Sequence, residues 1–160
     1  MRKAFARASV ELAEKFPEVV MIVGDEETEL GEFKTKFPNR YFNVGICEQT
    51  MIGLAAGLAI AGLRPIVHTI TPFLIERPFE QIKIDIDQQN LPVLLVGFAD
   101  YPKHGPTHNS LNPQRLSSVF KNIDTHFPSN ESEVEKVIFD SFLRKTPSII
   151  HLRKTIKPFI

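Results

Sequence analysis

The chain has 160 residues, 42% of them apolar, with 19 Lys+Arg against 19 Asp+Glu and one cysteine. That length suits one domain, residues 1–160, burying about two thirds of the surface its unfolded chain exposes. The balanced charge removes the electrostatic case for nucleic acid or an anionic membrane, and the lone Cys47 excludes an internal disulfide framework and fits a reducing compartment.

The first stretch, "MRKAFARASVELAEKF", carries basic residues without a continuous apolar run, so it is not a secretory signal. Its Phe5, Ala8, Leu12 and Phe16 recur at helical spacing, predicting a helix over 2–16 that Pro17 ends. "VVMIVG" (19–24) reads as a buried strand closed by glycine. Residues 25–39 are polar and broken by Gly31 and Pro38, predicting a loop with at most one helical turn. "RYFNV" (40–44) is a short strand. Residues 48–61 are too long and too rich in Ala, Leu and Met for a strand and form a helix, with Gly62 as its cap. The apolar run 51–63 is shorter than the roughly 20 residues that span a bilayer.

"RPIVHTI" (64–70) is the next strand, followed by an amphipathic helix over 76–90 with proline near its first turn, and by a strand over 91–99. Residues 100–113 form a loop, a weak helix starts at Gln114, and "NID" (122–124) is a short strand. Residues 129–145 form a helix capped by Ser129 or Ser132, and "PSIIHLRK" (147–154) is the last strand. Strands alternating with helices predict an α/β fold: a three-layer αβα sandwich around a mostly parallel sheet. Ligands in such a fold bind beyond the carboxyl ends of the strands, the ends that lead into Glu48, Phe73 and the His104/His108 loop.

Each of these residues has a plain reading beside a functional one. Glu48 opens an apolar helix, where the helix dipole favours a carboxylate and apolar surroundings oppose it. It either satisfies free amides of the first turn or serves as proton partner to a bound heterocycle. Gly53, Gly57 and Gly62 fit close packing. His104 and His108 are separated by Gly105-Pro106, which forbids the helical ligand pair. They suit a loop facing substrate or phosphate, an incidental exposed loop, or a zinc site completed by Asp100. Cys47 is a nucleophile at a helix start or a packing residue, and packing is the reading adopted. Phe73 is core or a stacking face. His68, His126 and His151 lie in or beside strands and read as structural.

Taken together, "GICEQ" (45–49), "RPFEQI" (77–82) and "GPTH" (105–108), in this order and spacing, resemble the pyrimidine-binding domain of the transketolase group. That group includes transketolases, deoxyxylulose-phosphate synthases and beta subunits of 2-oxoacid dehydrogenases, and the resemblance covers essentially the whole chain. It implies the thiamine-diphosphate-binding fold of the pyrimidine-binding type. It also implies thiamine diphosphate as cofactor, with Mg²⁺ and the diphosphate held by a separate diphosphate-binding subunit. By resemblance, Glu48 shares a proton with the ring nitrogen opposite the amino group. That favours the tautomer that activates the cofactor toward a ketose or 2-oxoacid carbonyl. Phe73 stacks on the pyrimidine, and Ile70 stands where the family has a second aromatic. His108 lies near cofactor and substrate. His104 replaces an aspartate that contacts the sugar, and Asp25 matches an acidic residue near the interface.

No Gly-Asp-Gly metal–diphosphate signature occurs in the sequence, and the chain stops where the family's third domain would begin. The expectation is therefore half an active site. The chain would be the pyrimidine-binding subunit of a split, cytoplasmic, transketolase-like transferase of carbohydrate metabolism, taking a small-molecule substrate. It would assemble as a homodimer or heterotetramer with its partner, through an apolar patch around the Glu48 helix, without contact to membrane or nucleic acid. The rival expectations are a non-catalytic scaffold subunit that keeps the fold, a beta-type subunit of a 2-oxoacid decarboxylase or dehydrogenase, and a metal-binding domain using His104 and His108.

Overall fold

The structure is a computed structural model that describes residues 1–25, 29–99 and 101–153. Six strands run β1 (Val19–Val23), β2 (Tyr41–Asn43), β3 (Arg64–Ile70), β4 (Leu94–Phe98), β5 (Asp124–His126) and β6 (Ser148–Leu152). They form one sheet in the order β2-β1-β3-β4-β6-β5, and every pairing is parallel. The helices are α1 (Arg2–Lys15), α2 (Gly31–Lys36), α3 (Glu48–Ile60), α4 (Thr71–Ile75), α5 (Phe79–Gln81), α6 (Pro113–Ser117) and α7 (Glu131–Arg144).

Strand side chains alternate between two cores, because successive Cβ atoms point to opposite faces. Met21, Val23, Ile66, Leu94, Val96 and Ile150 pack with the α1 and α7 residues Phe5, Leu12, Ile138 and Phe142. Ile22, Val67, Leu95 and Ile149 pack on the other face with Met51, Ile52 and Ala55 of α3 and with Leu74, Ile82 and Ile86. The central strands are buried on both faces, which explains their β-branched composition. This is the expected three-layer αβα sandwich, with a sheet that is parallel throughout.

The chain runs from β1 outward to β2, then returns over α3 to place β3 on the other side of β1. The reversal opens a crevice at the carboxyl ends of β1 and β3, and α3 and α4 both begin beside it. Gly97 allows α4 to sit there: a Cβ on it would lie 2.9 Å from Thr71 Oγ1 and 3.2 Å from Thr71 Cα. Gly62, at φ +91°, ends α3, with its N–H bonded to Ala59 O and that of Leu63 to Leu58 O.

Four local expectations are corrected. The helix over 76–90 is not continuous: α4 starts earlier, directly after β3, and the chain breaks at 76–78. Pro78 lacks an N–H and disfavours helical backbone at Arg77, so the helix restarts as α5 and widens over Ile82–Asp87. Bonds from Gln88 N to Lys83 O and from Leu91 N to Ile86 O span five residues there. The cap of α7 is Asn130, whose side chain accepts from Glu133 N at 2.9 Å, while Glu133 reaches back to Ser129. Cys47 is exposed rather than packed. Gly53 and Gly57 face outward, and a Cβ on either would meet nothing within 4 Å, so close packing inside this chain is not their reason. Part of the 25–39 loop (26–28), Asp100, and Lys154 at the end of the predicted last strand lie outside the described residues.

Candidate cofactor site

Glu48 is the first residue of α3 and only 7% exposed. Among the described residues its carboxylate does not cap its own helix. Oε1 accepts a hydrogen bond from Arg77 Nη1 at 2.5 Å. The α3 N-terminus and Arg77 line a cleft of about 350 Å³ together with Ile46, Cys47, Gln49 and Thr50.

Phe73 lies in the middle of α4, half-buried. The Arg77 guanidinium carbon stands 3.5 Å from the centre of its ring. Arginine stacks on aromatic faces because its planar cation meets the negative π-surface. Arg77 thus bridges a nearly buried carboxylate and an aromatic face. The His108 ring meets Phe73 edge-on, with centroids 4.8 Å apart. His104 lies beyond it, 5.6 Å from His108 and 5.9 Å from Tyr101.

Two short turns, Pro102–His104 and Pro106–His108, shape this loop, and Tyr101 N bonds to His108 O at 2.7 Å to close it. Glu76 ties the loop to α4 by accepting Leu111 N at 2.7 Å. Glu48, Phe73 and His108 are therefore linked through Arg77 and Phe73, with exposed His104 outside them. Ile70 is buried at the end of β3, three residues before Phe73. Asp25 follows β1, exposed, with φ +64°. Among the described residues no three His, Cys, Asp or Glu side chains gather in a way that could hold a metal ion.

The remaining histidines belong to the sheet. His68 donates from Nδ1 to Val96 O at 2.9 Å, and burial pushes its pKa down to about 4. Burial pushes His151 down to about 3, with its Nε2 3.3 Å from Ser117 Oγ. His126 is half-buried, and burial followed by the nearby Arg144 lowers its pKa.

Residues 1–158 match the family described as "Transketolase, pyrimidine binding domain". The chain belongs to that family. It is 35% identical over 159 residues to a 1-deoxy-D-xylulose-5-phosphate synthase of Dictyoglomus thermophilum, covering 96% of this chain and 25% of the relative. It is 36% identical over 126 residues to one subunit of the apulose-4-phosphate transketolase of Actinobacillus succinogenes, covering 76% of this chain and 40% of the relative. A solved structure described as a split gene transketolase, inactive beta4 tetramer, superposes with a TM-score of 0.87 at 28% identity, covering 99% of this chain and 52% of that one. The chain thus spans a quarter of the synthase and two fifths of the transketolase subunit.

Arg77 is the site residue that the sequence reading passed over, although it stands inside the "RPFEQI" motif. The available signal was its spacing: a cation four residues after an aromatic in a helical stretch lies on the same face and can stack on it.

Proposed function

We propose that this chain is the pyrimidine-binding subunit of a thiamine-diphosphate-dependent, transketolase-like transferase. It works on a ketose or 2-oxoacid donor together with a separate diphosphate-binding subunit. One observation carries the reading: Glu48 and Phe73 already hold a flat, N–H-bearing cation between them. A carboxylate that accepts an N–H beside a stacking face is the donor–acceptor set an aminopyrimidine requires.

When bound, the cofactor supplies the nucleophilic carbon, and the protein supplies position and proton control. Glu48 holds a proton at the ring nitrogen, at the mouth of an apolar helix where water competes weakly. Phe73 fixes the ring plane, and Ile70 gives the aliphatic contact where the family has a second aromatic. His108, braced against Phe73, faces the reacting end, and exposed His104 reads the substrate. Magnesium and the diphosphate belong to the partner.

The rim supports a partner surface. Ile46 is 67% exposed and Ile60 66% exposed, at the two ends of α3, with Gly53 and Gly57 on exposed positions between them. Apolar groups left in water mark contact surfaces. The similarity to one subunit of a two-part transketolase name and to a split-gene transketolase supports a separate partner, in a homodimer or heterotetramer. The inactive beta4 assembly of that neighbour favours one further reading, that copies of this chain associate without turnover until the partner joins.

The test is proton exchange at the cofactor's thiazolium carbon in the chain copurified with its partner. Glu48→Gln is expected to slow exchange by about 100-fold or more. Exchange at the unaltered rate in that variant removes Glu48 from the mechanism.

A further inference from the structure

The guanidinium of Arg77 occupies the place that the proposed function gives to the pyrimidine. Its carbon is 3.5 Å from the centre of Phe73, which is full van der Waals contact, and Nη1 donates to Glu48 Oε1 at 2.5 Å. Both partners of the expected ring are engaged, and they are engaged by a group of the same chemical kind: planar, delocalised and N–H-donating. A second flat ring cannot lie on that face of Phe73 while Arg77 does. The ring's edge is no alternative, because His108 meets it in a T-shaped contact.

We propose that Arg77 is a built-in placeholder. It fills the pyrimidine position in the free chain, keeps Glu48 paired, and swings out when the ring enters. This rests on the reading of the site given above.

Three features fit an arm that moves. Arg77 lies in the break between α4 and α5, outside both helices. Its side chain is 32% exposed, against 8% for that of Glu48, so the displaced guanidinium recovers water readily while the carboxylate does not. An unpaired carboxylate at this depth is costly, and the pairing removes that cost before the cofactor arrives. The consequence is a lowered apparent affinity. A ligand that binds only the open form is weakened by the fraction of chains that are open.

The probe is 4-amino-5-hydroxymethyl-2-methylpyrimidine, titrated by NMR and calorimetry into the full chain and its variants. Arg77→Met, similar in length but unable to pair with Glu48, is expected to bind the probe about tenfold more tightly than the unaltered chain. Arg77→Gln serves the same comparison should the methionine variant fail to fold. In the unaltered chain the Arg77 Nε–H resonance is expected to be ring-current shifted by Phe73 and to return toward its free position as the probe saturates. Binding that needs Glu48 but is unchanged or weakened in both Arg77 variants overturns the placeholder and leaves the proposed function standing. Absence of binding to every variant at millimolar probe overturns the pyrimidine site itself, and the placeholder with it.

Discussion

The interior of the sheet and the rim of the site follow opposite rules. In the interior every group is satisfied by backbone that cannot move. His68 is held neutral against Val96 O, and Gly97 is closed over by Thr71 and Leu74. On the rim Glu48 is paired with a side chain that can move, Gly53 faces open space, and Ile46 stands in solvent. The difference separates what holds the fold from what is kept available for a ligand and a partner. Conformational change is drawn from regions with few fixed contacts.

The strongest way to break this contrast is to crowd the interior. Gly97→Val must displace the backbone of Thr71 as well as its hydroxyl, and overpacking of this kind costs about 3 kcal/mol. Urea unfolding should show that loss, together with loss of pyrimidine binding as α4 lifts and carries Phe73 away. An unchanged midpoint would mean that α4 is not seated on β4.

Acid is a milder way to the same end. His68 has its pKa depressed from 6.5 in the fold, so below that pH the unfolded chain binds the proton more readily. Its contribution to stability is intact above pH 6.5 and is lost as pH falls toward about 4, a loss of at most about 3 kcal/mol. Unfolding free energies at pH 7 and 4.5 should show the drop. His68→Asn, which can still donate to Val96 O, should flatten it. An equal slope in that variant would assign the acid sensitivity to other groups, His151 first among them.

The smallest effect belongs to the rim. Gly53→Ala should stabilise the isolated chain by up to about 1 kcal/mol, because the added methyl meets nothing and the helix gains propensity. The same change should weaken association with the partner if that face is the contact, read by analytical ultracentrifugation of the mixture. A destabilised isolated chain would show that α3 is packed on that side after all.

The amino-acid sequence by itself determined the layers and the chemistry of the site. Buried parallel strands read as β-branched runs, and an apolar helix longer than a strand reads as α3, because these are periodic properties of adjacent residues. The positions of Glu48, Phe73 and the histidine loop followed from where those strands end. Tertiary structure alone decided which groups meet. Pro78 broke the predicted helix and released Arg77 from it, and the Gly97 contact set α4 at the depth where Arg77 reaches both Phe73 and Glu48. Glu48 and Arg77 are 29 residues apart, and no local pattern encodes a pairing made by the crossover from β2 to β3 and the close approach of α4 to β4.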